Sequence, residues 1–418
     1  MLPPKRLTLD RVTAIDATLR FKRLQETAPE TVDRIIDPET GAEWGYVVVD
    51  DTRRGPGLGG IRLAADLSLE EMRRLARVMT LKNSAAGLPF GGGKSGLKLD
   101  PRTFAGRPGH KREWITRFAD ALFALPQYIT APDMGTDEND VQLIHELYSR
   151  RLGTEHHLRG GASRPEEKGG IPIDGWGLTA HGLFAAARTL ENHIDDFRLK
   201  GAWVVIQGFG NVGAPLAQKL SRAGARIVGC SDIHAALWDP EGLVLDDLLA
   251  TRGHPEGLAG YPRPTPVKWL DERRDWLLEA PCDLLVPAAR PDAIGAKNAD
   301  RVDCKVVLQG ANSPSSKTTE YYLENRRGIL CLSDFIVNAG GVIGCAVELK
   351  QTAEPDFRES LLARGARAFT EDLIDKTISG NVAALLIRLR QAEKKDRIFR
   401  EEALGLAEEK LAGGETIL

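Results

Sequence analysis

The segment that most constrains this chain is Gly208-Phe209-Gly210-Asn211-Val212-Gly213, a GxGxxG turn. It lies between a short apolar run, Ala202 to Gln207, and an amphipathic stretch, Pro215 to Gly224, with a second apolar run at Ile227 to Cys230. The order reads as strand, tight turn, helix, strand. A lone GxGxxG says little, but in this frame it has a mechanism. Glycines let the backbone approach a pyrophosphate, and the helix behind them offers unpaired N–H groups and the positive end of its dipole. Gly208, Gly210, Asn211, Val212 and Gly213 are therefore read as dinucleotide contacts. Asp232 ends the second strand, nineteen residues beyond Gly213. A carboxylate there accepts hydrogen bonds from an adenosine ribose and repels a 2′-phosphate, so NAD is expected in preference to NADP.

Further strand-like runs at Leu284 to Val286, Val306 to Leu308 and Ile329 to Leu332 alternate with helical patterns. That alternation predicts a parallel sheet covered on both faces. The expected fold is α/β, with two domains and a cleft. An N-terminal α/β domain for substrate binding and oligomerisation spans 1–165, and a Rossmann-type NAD-binding domain spans 166–379. Helices over about 380–418 are expected to return to the first domain. The glycine- and charge-rich stretch Leu152 to Gly170 reads as a hinge, with His156 and His157 as solvated loop residues. Leu362, Ala366, Phe369 and Leu373 follow the spacing of one helix face.

Composition excludes several classes. The 418 residues are 42% hydrophobic and 28% charged, with a formal net charge of −3. No basic stripe marks a nucleic-acid binder, and no run of about 18 apolar residues spans a bilayer. Without a signal-like start, the expected location is cytoplasmic. The five cysteines are odd in number and form no CxxC pair, so neither a disulfide framework nor a metal site is expected.

The first half carries two unusual lysines. Ser68 and Glu71 form a capping-box signature opening a helix to about Ala86, closed by Gly87 and Pro89. Lys82 falls on its apolar stripe with Leu75, Met79 and Ala86, and an inward amine needs an anion. Twelve residues on, Lys94 sits within Gly91-Gly92-Gly93-Lys94-Ser95-Gly96. A P-loop would need glycine where Leu88 stands and a strand where the helix precedes it. The alternative is a lysine presented by close-packed backbone, its pKa lowered by desolvation and a neighbouring cation, hence a usable base. Asp133, just past the strand-like Tyr128 to Thr130, is placed to relay protons beside two inward lysines.

Together these segments resemble the glutamate/leucine/phenylalanine/valine dehydrogenase family. The matching stretches are Leu58-Gly59-Gly60-Ile61-Arg62, Met79-Thr80-Leu81-Lys82-Asn83, Leu88 to Gly96, Ala131 to Thr136, Gly208 to Gly213, Gly310-Ala311-Asn312 and Asn338-Ala339-Gly340-Gly341. The resemblance implies reversible oxidative deamination of an L-amino acid to its 2-oxo acid and ammonia with a nicotinamide cofactor. It carries Lys82 over as partner of the substrate α-carboxylate, aided by Gly59 and Gly60. Lys94 becomes the lysine that activates water, and Asp133 the proton shuttle. Asn338 is implied as a substrate contact, and Asn312 and Thr179 as contacts near the nicotinamide. A homo-oligomer, hexamer or octamer, is implied as well.

The sequence departs from glutamate-specific members at two pocket positions. They usually carry lysine before the glycine pair and a serine in the helix after Asn-Ala-Gly-Gly; here stand Leu58 and Cys345. An apolar pocket predicts a leucine-, valine- or phenylalanine-like substrate. Ala131-Pro132-Asp133 instead resembles the glutamate branch, and a cation such as Arg62 could serve a γ-carboxylate. A non-catalytic, nucleotide-binding regulatory subunit is the alternative of another class.

Overall fold

The computed structural model describes residues 3–12, 28–392 and 396–418. The chain divides into two compact units. Unit 1 holds residues 1–172, 342–369 and 408–418, and unit 2 holds 173–341 and 370–407.

Unit 1 is built on six strands: β1 (Thr8–Arg11), β2 (Thr31–Ile36), β3 (Glu43–Asp51), β4 (Gly57–Leu63), β5 (Gly91–Leu97) and β6 (Tyr128–Pro132). Their order is β1-β2-β3-β5-β4-β6. The first three pair antiparallel, β3 pairs antiparallel with β5, and β4 runs parallel to both β5 and β6. Strand β3 alternates as a two-sided strand must. Val47 and Val49 join the core under α2 (Pro108–Leu122) and α3 (Glu138–Leu152), with Trp114, Phe118 and Ile144. Tyr46 and Val48 face α1 (Leu69–Ala85), with Met72, Leu75 and Ala76.

The glycine-rich segment around Lys94 is thus a fully buried central strand. β-propensity fails here because the strand is shaped by what lies against it. A Cβ on Gly92 would sit 2.2 Å from the backbone nitrogen of Thr80, so α1 rests directly on strand backbone. The capping box forms only by half. Ser68 accepts from the Glu71 backbone N–H at 3.2 Å, while the Glu71 carboxylate turns to Arg62. His157 also departs from expectation: it stacks on His145 at 4.6 Å and meets the Ser149 hydroxyl, while His156 stays exposed.

Unit 2 contains β7 (Trp203–Gln207), β8 (Arg226–Ser231), β9 (Ala236–Trp238), β10 (Val267–Trp269), β11 (Leu284–Pro287), β12 (Val306–Leu308) and β13 (Leu330–Leu332). The order is β10-β9-β8-β7-β11-β12-β13, with β8 through β13 parallel apart from the antiparallel β9 and β10 at one edge. The chain leaves β7 toward β8 on one side and returns to β11 on the other, the switch point of a Rossmann-type sheet. Helices α4 (Leu178–Leu190), α5 (Gly213–Arg222), α6 (Leu245–Ala250), α7 (Lys317–Arg327) and α8 (Asp334–Val337) belong to this unit.

The remaining helices are α9 (Gly340–Ala353), α10 (Pro355–Arg364), α11 (Ala366–Gln391) and α12 (Phe399–Leu411). Two expectations need correction here. Gly365, at φ +80°, separates α10 from α11, so Leu362 and Leu373 share no helix, and Leu362 is exposed. The buried face of α11 runs instead through Ile374, Ile378, Val382 and Leu385. That face belongs to unit 2: a Cβ on Gly182 of α4 would meet Ile378 at 2.5 Å. Residues 370–407 therefore group with the Rossmann-type unit, and only 408–418 of the expected returning helices lie in unit 1. Among the described residues no helix is long and apolar enough to cross a membrane, and none form a cluster fit for a metal ion.

Candidate functional site

In unit 1 the register of three parallel strands assembles the polar centre. Ile61 of β4 pairs with Ser95 of β5 on one side and Pro132 of β6 on the other, which brings Gly60, Lys94 and the end of β6 level. Lys94 also pairs with Val48, whose side chain faces α1, so its amine emerges on the α1 face of the sheet. There Lys94 Nζ lies 2.6 Å from Asp133 Oδ2. Gly60 provides the room: a Cβ there would stand 2.7 Å from Asp133 Cβ and 3.0 Å from Lys94 Nζ. Asp133 is fixed from behind, its backbone N–H donating to Thr136 Oγ1 at 2.9 Å, and that hydroxyl donating to Ile61 O at 2.8 Å.

Arg62 completes the cluster. Its Nε donates to Asp133 Oδ2 at 3.0 Å, and its Nη1 to Glu71 Oε1 at 2.5 Å. Both carboxylates already claim this guanidinium, so Arg62 is not a spare cation for a substrate side chain. Burial pushes the Lys94 amine below its ordinary value and Arg62 pushes it further, outweighing the opposite pull of Asp133. For Asp133 burial works upward, but Lys94 and Arg62 prevail and hold it well below the usual carboxylate range. The two cations thus favour the ionised form of Asp133, while burial and Arg62 favour the neutral form of Lys94.

Lys82 is buried in the last turn of α1. Leu58 is wholly buried on β4, and Cys345 is buried on α9. Sequence reasoning missed two groups. Tyr128 donates to Gly59 O and meets Ser95 Oγ, both at 2.8 Å, locking the glycine pair from the opposite face of the sheet. One turn beyond Cys345, Glu348 accepts from the backbone of Ser163 and Ile171 and from Arg164 Nε, at 2.8, 2.6 and 2.7 Å. Arg164 Nη2 continues to Thr352 Oγ1 at 2.9 Å. Glu348 could have been noticed as an acid within an apolar helix, but its partner lies far away in sequence.

In unit 2 the glycine turn has the geometry a dinucleotide needs. Gly208 has φ +99°, and a Cβ on Gly213 would fall 1.9 Å from Gly208 O, so turn and helix are in backbone contact. A Cβ on Gly210 would meet nothing, leaving that surface open. Helix α5 starts behind Val212 with no side-chain cap, so its first N–H groups point at the opening. Asn211 Nδ2 donates to Asp174 Oδ2 at 2.9 Å. Asn338 donates to Gly310 O at 3.2 Å and Asn312 Oδ1 at 3.3 Å, while its own buried Oδ1 has no partner. Gln207 Oε1, at the end of β7, is likewise buried and unpartnered. Thr179 lies in the first turn of α4, its Oγ1 3.0 Å from where a Cβ on Gly341 would stand. Asn338 thus groups with Asn312 at the same end of unit 2. Orphaned acceptors and an uncapped helix behind open glycines fit a dinucleotide.

Asp232 is oriented by backbone donors. Its Oδ1 accepts from the backbone of His234 and Ala235 at 2.7 and 2.8 Å, and its Oδ2 from Leu258 at 2.7 Å. Three of the roughly four acceptor positions of this half-buried carboxylate are thus taken by backbone donors.

Comparison with known proteins agrees with this arrangement. Residues 36–150 match the Glu/Leu/Phe/Val dehydrogenase dimerisation domain and 169–391 the Glutamate/Leucine/Phenylalanine/Valine dehydrogenase domain. The chain is 32% identical over 296 residues to the NADP-specific glutamate dehydrogenase of Saccharolobus shibatae, covering 70% of this chain and 68% of that one. It is 32% identical over 306 residues to the catabolic NAD-specific glutamate dehydrogenase of Bacillus subtilis, covering 71% and 68%. Among solved structures it resembles hetero-hexameric glutamate dehydrogenase from Thermus thermophilus in its Leu-bound form, with TM-score 0.76 and 26% identity over 98% of this chain and 89% of that one. These names do not support the apolar substrate suggested by Leu58 and Cys345. Two matched domains, the paired lysine motifs and the Rossmann-type sheet make this chain an amino-acid dehydrogenase of the glutamate/leucine/phenylalanine/valine dehydrogenase family.

Proposed function

We propose that the protein catalyses reversible, nicotinamide-dependent oxidative deamination of L-glutamate to 2-oxoglutarate and ammonia. The observation that carries this is the buried Lys94–Asp133 ion pair, 2.6 Å apart and flanked by Arg62. Unit 1 binds the amino acid and unit 2 the dinucleotide. Lys82 pairs with the substrate α-carboxylate beside Gly59 and Gly60. A bound dinucleotide, with its pyrophosphate at the glycine turn and its nicotinamide near Thr179, Asn312 and Asn338, would supply the acceptor for the hydride leaving Cα. Lys94, with its lowered pKa, takes the proton from the water that attacks the resulting iminium carbon. Asp133 and Arg62 hold the amine in place and set its proton affinity. The substrate γ-carboxylate needs a cation, since Leu58 and Cys345 offer none.

Assembly into an oligomer through unit 1 goes with this reading, a hexamer as in the Thermus neighbour or an octamer. Spectroscopic NAD(P) reduction with glutamate, leucine, valine and phenylalanine tests it. Turnover of glutamate alone supports the proposal, and turnover of the apolar substrates alone restores the pocket argument from Leu58 and Cys345. A second reading, a non-catalytic subunit of a mixed oligomer, is favoured by those same two residues. The purified chain would then turn over nothing by itself yet alter the activity of a catalytic partner.

A further inference from the structure

We propose that Lys410 and Arg54 are positioning residues for Lys82. With the backbone of Ile417 they close the last turn of α1, and so fix the amine that meets the substrate α-carboxylate. This rests on the role given above to Lys82.

The last four carbonyls of a helix have no partner within it. At the end of α1 the chain satisfies two of them locally. Gly87, at φ +68°, donates its N–H to Ser84 O at 2.8 Å, and Leu88 donates to Asn83 O at 2.9 Å, the paired bonds of a Schellman turn. That turn leaves over the carbonyls of Ala85, Gly87 and Leu88. All three residues are buried, where an unmade hydrogen bond costs most.

The segment after α12 and one loop arginine fill these positions. Lys410 Nζ donates to Ala85 O at 2.8 Å, and the Ile417 N–H donates to Gly87 O at 3.0 Å. Arg54, in the turn between β3 and β4, donates from Nε to Leu88 O at 2.9 Å. The same guanidinium holds the segment in shape, its Nη1 donating to Lys410 O and, at 2.9 Å, to Gly414 O. Two cations thus meet the negative end of the helix dipole. The fit is close: a Cβ on Gly87 would stand 3.2 Å from Ile417 Cγ2. Lys82 lies one turn back from this closure, its carbonyl accepting from the Ala86 N–H at 3.0 Å. Fraying of the helix end would release that bond and let the Lys82 amine shift, and a small misplacement of a binding group is costly. An α-carboxylate is held in the ground state and the transition state alike, so the loss falls on KM and not on kcat.

Steady-state kinetics and amide hydrogen exchange on the full chain test this. Lys410→Met, at a half-buried position, should raise KM for the amino acid turned over about fivefold, as for one lost hydrogen bond, with kcat within about twofold. Arg54→Gln should raise KM about tenfold. Lys410→Arg keeps a donor and should hold KM within about twofold of the unaltered chain. Exchange at residues 82–88 should quicken in Lys410→Met while the strands of unit 1 stay protected. Should Arg54→Gln fail to fold, Lys410→Met decides alone. Unaltered exchange in Lys410→Met, or a fall in kcat at constant KM, overturns the proposal. A KM raised by Lys82→Met but not by Lys410→Met overturns the proposal while keeping the role of Lys82. A KM unmoved by Lys82→Met, or no turnover by the unaltered chain, fails the reading of the site and this proposal with it.

Discussion

Lys94 Nζ stands 2.6 Å from Asp133 Oδ2, in surroundings where burial opposes both charges. The pair persists because Arg62 approaches the same carboxylate, at 3.0 Å from Nε. One anion thus serves two cations. The site keeps Asp133 ionised while leaving Lys94 easier to deprotonate than a surface lysine.

The pH–rate profile should report this directly. Turnover needs the neutral amine, so kcat/KM rises with pH through a value below the ordinary lysine range. Arg62→Gln removes a cation that disfavours the ammonium, and the rise should move to higher pH. Asp133→Asn removes the anion that favours it, and the rise should move to lower pH. Lys94→Ala should lower kcat by about 10³-fold or more with dinucleotide affinity intact, measured by fluorescence titration.

Leu58→Lys would place a cation at the position where the family resemblance leads one to expect it for a glutamate side chain. If the side-chain pocket lies there, KM for glutamate should fall about tenfold with kcat little changed, and any activity on leucine should drop. Steady-state kinetics on both substrates check this.

Glu324 gives stability a pH dependence. Burial pushes its carboxyl up to about 8, although the Phe399 backbone N–H donates to it at 3.0 Å. The folded state therefore favours the protonated acid more than the unfolded chain does. The stabilisation is complete below the unfolded value of 4.5 and is lost as pH rises through about 8. Discounted for partial exposure, the loss is about 2 kcal/mol. Glu324→Gln should flatten the fall of Tm over that window and raise Tm at pH above about 8.

Glu348 is the strongest stability prediction. Its removal leaves a buried Arg164 guanidinium and the Ser163 and Ile171 N–H groups without their acceptor. Glu348→Ala should cost about 3–5 kcal/mol in urea unfolding.

Much of the organisation was legible in the sequence because it rests on local pattern. The strand, glycine turn and helix at 202–224 announce themselves, as do β11 and β12, whose apolar runs are short and bounded. What stayed hidden depends on partners distant along the chain. Strands β4 and β5 look like loops because their glycines are there for neighbours, not for propensity. Gly365 breaks a helix that spacing alone would continue. Asp232 stands at the interval the motif predicts, and the backbone donors that orient its oxygens are ones no spacing rule reveals. The meeting of Lys94, Asp133 and Arg62 was legible only in part: the lysine and the acid were singled out, but the arginine that joins them follows from the register of β4 against β5 and β6.

The floor of bare backbone under α1 divides the unit into positions that can vary and positions that cannot. Gly59 and Gly92 admit no side chain, since Cβ atoms there would fall 1.7 Å from Gly93 O and 2.2 Å from Thr80 N. The lysine chemistry is therefore mounted on backbone that only glycine leaves bare, at positions closed to any other residue. Change can enter only at its margins, at positions such as Leu58 and Cys345. A lineage can thus exchange one amino-acid substrate for another without having to rebuild the machinery that deaminates it.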